Sequence, residues 1–130
     1  MNYSEEEWRH KLPKDVFKVC RLGGTEAPFS GKYTHHTEEG TYLCRACQTP
    51  LFASSAKYDS KSGWPSFFQP ITREVMDYKE DTSLGYQRLE VKCHACQSHL
   101  GHVFEDGPEP THKRFCINSL ALDFVVSKEL

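Results

Sequence analysis

The stretch from Gln87 to Cys96 reads QRLEVKCHAC and joins an alternating strand to a cysteine pair. In an extended chain Leu89, Val91 and Cys93 point to one face, and the three charged residues between and before them point to the other. Cys93 therefore ends the strand on its apolar face, with two residues between it and the next cysteine. This arrangement predicts a β-strand that delivers a thiol directly into a tight turn.

A second cysteine pair, Cys44 and Cys47, follows an earlier strand in the same way, with Tyr42 on the apolar face. Two intervening residues let one tight turn place both sulfurs about 2.3 Å from a single metal ion. Together with Cys93 and Cys96 these residues predict a closed Zn²⁺ site of four thiolates, which serves structure and leaves no open position for catalysis. The alternative is two unrelated redox or buried cysteine pairs.

Residues 48–92 separate the two cysteine pairs, a gap longer than that of a compact zinc ribbon. The metal is therefore expected to join distant parts of a larger β fold, and a free-standing ribbon is not expected. His94 lies inside the second pair and could replace a cysteine as ligand, although a solvated loop histidine is the simpler interpretation.

The pattern of apolar residues and turn signals predicts a mainly β fold that follows short helices. Ser4 and Glu7 form a capping-box pattern, which predicts a helix over residues 5–11 that ends before Pro13. A second helical turn is predicted to continue through Phe17. Six strands are predicted after the helices, at Thr41–Cys44, Val75–Tyr78, Gln87–Cys93, Gly101–Phe104, Phe115–Ile117 and Ala121–Val126.

With 130 residues, the chain is expected to form one domain, 1–130, in which residues 1–20 are the helical segment. Its formal net charge is −2 and its basic residues are scattered, so nucleic acid is not an expected partner. The first residues are acidic and no apolar run reaches the ~20 residues of a membrane span, so neither a secretory signal nor a membrane segment is expected. We expect a monomer in the reducing cytoplasm, where clustered cysteines favour metal binding or catalysis over disulfides.

Cys116 is one of two cysteines that the metal site leaves over, and Cys20 is the other. If residues 114–118 are extended, Arg114, Cys116 and Asn118 share one face, and the apolar residues between them face the core. Arg114 would then favour the thiolate, and the amide of Asn118 could donate a hydrogen bond to a substrate oxygen. A thiol in this setting indicates redox or nucleophilic chemistry, whereas a small cysteine packed like an alanine is the alternative.

Two histidines, His99 and His102, precede this thiol in the sequence. Residues three apart on a strand face opposite ways, but Gly101 permits a bulge or turn that could bring both imidazoles to one side. They would then supply a proton donor and a polar clamp beside Cys116. Either histidine taken alone is more simply explained as a surface or core residue.

Trp64 stands between Gly63 and Pro65 in the run SGWPSFF, at residues 62–68. A tryptophan that is held by a rigid turn could form the wall of an apolar pocket. A core aromatic residue is the alternative that this segment alone leaves open.

These segments, in this order, resemble the B-type peptide methionine sulfoxide reductases, enzymes that reduce methionine-R-sulfoxide. The resemblance covers about residues 8–126. It rests on the two cysteine pairs and on a set of longer motifs: Gly24-Thr25-Glu26, Pro28-Phe29-Ser30-Gly31, Gly63-Trp64-Pro65-Ser66-Phe67, His99-Leu100-Gly101-His102-Val103-Phe104, Asp106-Gly107-Pro108 and Arg114-Phe115-Cys116-Ile117-Asn118-Ser119.

The resemblance implies antiparallel sheets in a tent-like arrangement, a structural zinc and a catalytic thiol at Cys116. It implies that methionine-R-sulfoxide, free or in oxidised proteins, is reduced while Cys116 becomes a sulfenic acid. Thioredoxin or another thiol reductant would then restore the enzyme, so the implied role is protein repair. The residues that match the family's substrate site are Trp64, His99, His102, Phe104, Arg114 and Asn118.

The chain departs from the family pattern at Ser62, because many members carry the resolving cysteine directly before the Gly-Trp-Pro turn. A serine cannot form a disulfide, so the usual recycling partner of Cys116 is missing. Cys20 is then the one remaining candidate for a resolving thiol. The alternative is that thioredoxin or a small thiol reduces the sulfenic acid directly.

Two other functions remain open on the residues alone. A zinc-bearing binding module without catalysis would explain the cysteine pairs, but it leaves the residues around a spare thiol unexplained. A thiol hydrolase that uses Cys116 with His102 would explain the thiol, but the chain resembles no local signature of such enzymes.

Overall fold

The computed structural model describes residues 3–127, which form two seven-residue helices and nine strands. The ends of the expected 1–130 domain, residues 1–2 and 128–130, lie outside the described residues. Helix α1 spans Glu5–Lys11 and helix α2 spans Lys14–Cys20. The strands are β1 (Gly40–Cys44), β2 (Pro50–Ala53), β3 (Lys57–Tyr58), β4 (Ser66–Phe67), β5 (Met76–Asp81), β6 (Arg88–Cys93), β7 (His99–Phe104), β8 (Arg114–Ile117) and β9 (Leu122–Val126).

Helix α1 has the predicted bounds and begins with a complete capping box. The N–H of Glu7 donates to Ser4 Oγ at 3.2 Å, and the N–H of Ser4 donates to the Glu7 carboxylate at 2.9 Å. These two bonds satisfy N–H groups that the first turn of a helix leaves without partners. The helix buries Trp8, whose ring lies under the Arg21 guanidinium at 4.7 Å.

Helix α2 extends to Cys20, beyond the predicted end at Phe17. The additional residues stay helical because apolar side chains on this part of the chain pack into the core, and that burial outweighs the modest helix propensity of β-branched residues. The buried side chains of α2 are Val16, Phe17, Val19 and Cys20. Neither helix, nor any other helical stretch within residues 3–127, is long and apolar enough to cross a membrane.

Two antiparallel sheets contain all of the described strands. One sheet has three strands in the order β2-β1-β9, and the other has six in the order β3-β4-β8-β7-β6-β5. This arrangement confirms the expected fold class. Strands β4 and β8 pair through Ser66 and Cys116, which are far apart along the chain, so the sheet forms only when distant segments meet.

The prediction missed three short strands, β2, β3 and β4. Strands β3 and β4 have two residues each, which is too short for an alternating pattern to be visible. Strand β2 carries two consecutive buried residues, Leu51 and Phe52, where alternation would place one of them in solvent. Single-turn 3₁₀ helices, Arg73–Val75 and Ser119–Ala121, also shift the starts of β5 and β9 by one residue from the predicted positions.

Aromatic side chains form the core between the two sheets. The rings of Phe52 on β2 and Phe67 on β4 stack at 4.1 Å between centroids, and Tyr42 on β1 meets Phe67 edge-on at 5.1 Å. Phe115 and Ile117 on β8 are buried against the same core, as the alternation of that strand predicts. The six-stranded sheet therefore turns one face to the core, and its other face is available for polar side chains.

Candidate active site and metal centre

The four cysteines of the two pairs meet in one cluster, with all their sulfurs within 4.8 Å of one another. The Sγ atoms of Cys44 and Cys96 are 3.7 Å apart, and those of Cys47 and Cys93 are also 3.7 Å apart. A tetrahedron of thiolates at about 2.3 Å from zinc has sulfur–sulfur edges of roughly 3.8 Å. The donor set and its spacing therefore fit a structural Zn²⁺ ion, and the alternative of two separate cysteine pairs is wrong.

Two matching turns present these sulfurs. In each turn the N–H of the residue after the pair donates to the carbonyl of the first cysteine at 2.7 Å, from Gln48 to Cys44 and from Gln97 to Cys93. Both glutamines adopt a left-handed backbone, with φ near 65° and 64°, which reverses the chain within one turn. Because one turn follows β1 and the other follows β6, a metal here joins the two sheets.

His94 lies inside the second turn but does not face the sulfur cluster. Its side chain is 65% exposed, and its Nδ1 bonds the Asp77 carboxylate at 2.9 Å. The solvated loop histidine is therefore the correct interpretation, and the four cysteines remain the ligand set.

Cys116 opens into a cavity of about 300 Å³ on the polar face of the six-stranded sheet. Six of the residues expected at the site line this cavity: Trp64, His102, Phe104, Arg114, Cys116 and Asn118. Four further residues complete the lining, namely Thr25, Ser62, Arg88 and Gly101. The structure thus brings together in one concave site most of the residues that the sequence indicated.

Strand register sets the relation between the thiol and its histidine. Cys116 on β8 is directly opposite His102 on β7 and opposite Ser66 on β4. Opposed residues of antiparallel strands carry their side chains on the same face, so the thiol and the imidazole leave the sheet side by side.

A bulge brings His99 to the same side of the sheet as His102. Lys92 pairs with His99 while Val91 pairs with Gly101, so β7 carries one extra residue, Leu100, at this point. The two imidazole centroids are 5.5 Å apart. His99 does not line the cavity but lies behind His102, with 5% of its surface exposed.

Gly101 is needed for close strand approach, not for an unusual backbone angle. A Cβ added at Gly101 would lie 1.9 Å from the carbonyl oxygen of Cys116, far inside contact distance. The glycine therefore allows β7 and β8 to pack at the point where the bulge and the thiol meet.

Carboxylates that the sequence did not indicate hold the polar residues of the site. Asp81 accepts from His102 Nε2 at 2.7 Å and from Arg88 at 3.1 Å. The bond from His102, followed by bonds from Ser83, keeps the pKa of Asp81 well below its usual range. Because an ionised carboxylate only accepts, His102 carries its proton on Nε2 and presents Nδ1 as its other nitrogen.

The second histidine and the arginine have carboxylate partners as well. Glu90 bonds His99 Nδ1 at 2.6 Å, while burial lowers the pKa of His99 and Glu90 partly offsets this effect. Asp106 accepts from Arg114 Nε at 2.9 Å, and the Arg114 guanidinium lies 4.4 Å from the ring centre of Phe104. No local pattern marks these carboxylates, because each meets its partner only through strand pairing or a loop.

The pKa of the Cys116 thiol is raised above its ordinary value of 9.0, chiefly by burial. Arg114 acts in the predicted direction and lowers the pKa, as does a hydrogen bond from the side chain of Ser62. Burial outweighs both, so the resting thiol is protonated at neutral pH. Ser62 lines the same cavity as the thiol, at the position where the family pattern leads one to expect a resolving cysteine.

Asn118 uses most of its amide to hold the backbone of the site. Its Oδ1 accepts from the N–H of Glu26 at 3.0 Å, and its Nδ2 donates to the carbonyl of Leu100 at 3.1 Å. These two bonds leave one N–H of the amide, on a side chain that lines the cavity. Trp64, half-buried beside it, donates its indole N–H to the carbonyl of Glu26 at 3.0 Å.

Cys20 lies outside this cavity. It is 1% exposed on the inner face of α2, and burial raises its pKa to about 12. Two neighbouring thiols, Cys96 and Cys47, also raise the pKa of Cys20, and both belong to the metal centre. Its surroundings are those of a packed core cysteine, which must leave the core before it can react with Cys116.

Comparison with known proteins finds matches that cover most of the chain. A family model described as the SelR domain matches residues 12–126. A curated protein named peptide methionine sulfoxide reductase MsrB, from Teredinibacter turnerae, is 55% identical over 124 residues, which are 95% of this chain and 92% of that protein. A protein of the same name from Saccharophagus degradans is 57% identical, over 91% of this chain and 88% of the relative. Another, from Acinetobacter baumannii, is 48% identical over 94% and 88%. The chain therefore belongs to the SelR domain family.

Proposed function

We propose that this chain reduces methionine-R-sulfoxide to methionine with Cys116 as the nucleophile. The observation that carries the proposal is the side-by-side placement of Cys116 and His102 in a cavity walled by Trp64. The names of the relatives support the same chemistry. The cavity is at the small end of ligand pockets, which suits a single oxidised side chain.

The reaction begins with the sulfoxide methyl group packed against the Trp64 ring. His102 Nδ1 takes the proton of the Cys116 thiol, and the thiolate attacks the sulfoxide sulfur to form a bond between the two sulfurs. The imidazolium then gives that proton to the sulfoxide oxygen as negative charge develops there. The Asp81 carboxylate holds the imidazole in place, and His99 supports it from behind. The hydroxyl group then moves from the methionine sulfur to the Cys116 sulfur as the bond between the two sulfurs breaks. Methionine leaves with two electrons from the thiol, and Cys116 becomes a sulfenic acid.

Recycling of the sulfenic acid is assigned to an external thiol, such as thioredoxin or a small thiol. Ser62 occupies the position beside Cys116 but cannot form a disulfide, and Cys20 is buried near the metal centre. The external thiol condenses with the sulfenic acid and releases water, and a second thiol then frees Cys116 as the external disulfide forms.

The proposal also covers the domain organisation, the oligomeric state, the substrates and the location of the protein. Residues 1–130 are proposed to act as one domain and as a monomer, with oxidised proteins as the substrates. A cytoplasmic location suits a site that needs four metal-binding thiols and one catalytic thiol in reduced form. A purely structural zinc module is the weaker proposal, because it assigns no role to the cavity around Cys116.

A test of the function follows the R and S epimers of a blocked methionine sulfoxide separately, with dithiothreitol and then with thioredoxin. The expected result is reduction of the R epimer and no more than trace reduction of the S epimer. Cys116→Ser should abolish this activity while the protein still binds zinc and unfolds cooperatively. Reduction of the R epimer by Cys116→Ser at the wild-type rate would overturn the proposal.

A further inference from the structure

Glu26 is a buried residue whose backbone and side chain both bond to the active site region. It is 7% exposed and lies in the loop between α2 and β1. Its N–H donates to Asn118 Oδ1 at 3.0 Å, and its carbonyl accepts the Trp64 indole N–H at 3.0 Å. One peptide segment thus holds two residues that line the cavity.

The bonds continue from Glu26 into the strand that carries the histidines. Asn118 donates from Nδ2 and from its backbone N–H to the carbonyl of Leu100, at 3.1 and 2.9 Å. Leu100 is the bulge residue between His99 and Gly101. A continuous series of hydrogen bonds therefore runs from the Trp64 wall through Glu26 to the bulge.

The side chain of Glu26 anchors this segment. Its Oε1 accepts from the N–H of Leu120 at 2.9 Å, in the 3₁₀ turn that follows Asn118. Gly31 makes room for the carboxylate, since a Cβ there would lie 2.5 Å from Glu26 Oε2. A carboxyl group is costly to bury, so its position is held by a specific contact and not by general packing.

We propose that Glu26 is a positioning residue for methionine sulfoxide reduction: its side-chain bond to Leu120 fixes the peptide that holds Trp64 and Asn118 at the substrate. The inference rests on the proposed function of the site. The role depends on a side chain long enough for its oxygen to accept the bond from the Leu120 N–H. The bond from the Leu120 N–H requires an accepting oxygen and not a negative charge. A charge on Glu26 also raises the pKa of Cys116, which disfavours the reactive thiolate.

Two substitutions distinguish the effect of side-chain length at position 26 from the effect of its charge. Glu26→Gln keeps the length and the accepting oxygen but removes the charge. Glu26→Asp keeps the charge but shortens the side chain by one methylene, so the bond to Leu120 forms only if the backbone moves. We expect kcat/KM for the R-sulfoxide to stay within about threefold of wild type in Glu26→Gln and to fall about 10- to 100-fold in Glu26→Asp.

A spectroscopic measurement reports on positioning without catalysis. In a Trp8→Phe background Trp64 is the one remaining tryptophan. Its emission should shift to longer wavelength in Glu26→Asp, where the indole loses its fixed bond, and should match wild type in Glu26→Gln. Glu38→Ala, which removes an exposed carboxylate paired with His36, is the control and should change neither measurement.

The outcomes are distinct for the two proposals. Loss of activity in Glu26→Gln, or wild-type activity and emission in Glu26→Asp, overturns the positioning role. A wild-type protein that reduces neither epimer overturns the proposed function instead, and the emission comparison then still tests the placement of Trp64.

Discussion

Cys116 and His102 are opposed residues on β8 and β7, and both side chains leave the same face of the six-stranded sheet. Backbone hydrogen bonds between the two strands set their separation, so no flexible loop is needed to bring the thiol and the imidazole together. A thiol and an imidazole on neighbouring strands of a sheet are held more accurately than groups on loops.

Asp81→Asn should lower kcat by roughly 10- to 100-fold, because His102 loses the carboxylate that fixes its proton on Nε2. Steady-state kinetics with R-sulfoxide measure the effect. Asp77→Asn is the matched control, since the Asp77 carboxylate bonds His94 and Gln97 in the outer turn of the metal centre. Equal kinetics for the two variants would show that Asp81 does not orient the histidine.

Ser62→Cys should supply a resolving thiol beside Cys116. Ser62 and Cys116 line the same cavity, so a thiol at position 62 is expected to condense with the sulfenic acid to a disulfide. Mass spectrometry after one turnover without reductant should show a 62–116 disulfide in the variant and a sulfenic acid in wild type. Cys20 should remain a free thiol in both proteins, and a Cys20–Cys116 disulfide in wild type would contradict the assignment to an external thiol.

Alkylation of Cys116 by iodoacetamide should be slow at neutral pH and should rise through a midpoint above 9.0. Burial disfavours the thiolate, so the raised pKa leaves the reactive form scarce until the pH approaches that value. Ser62→Ala removes a bond that lowers the pKa and should move the midpoint higher, whereas Ser54→Ala, which lies outside the cavity, should not. A midpoint near neutrality in wild type is incompatible with this account.

Cys47→Ser should release zinc and lower the Tm by at least about 10 °C, because a closed site with three thiolates no longer joins the two sheets firmly. Metal analysis measures the zinc content, and a thermal melt measures the Tm. His94→Ala is the control within the same centre, since its exposed side chain is not a ligand, and it should keep both zinc and Tm. Unchanged stability in Cys47→Ser would remove the structural role assigned to the metal.

Local sequence patterns were sufficient to predict the features that depend on a few neighbouring residues. The capping box of Ser4 and Glu7, the alternation that ends at Cys93 and the spacing within each cysteine pair all act over a few residues. The motif order then indicated the family and most of the residues that line the cavity.

The remaining features depend on contacts between residues far apart in the chain. The pairing of Asp81 with His102 requires the β5–β6 hairpin to fold against β7, and no sequence spacing shows that register. The raised pKa of Cys116 and the isolation of Cys20 both follow from burial, which packing of the whole chain sets. Residue types and their spacing therefore indicated which chemistry the chain carries. Strand register and burial decide which groups meet and how their pKa values shift, because both depend on many contacts between residues far apart in the chain.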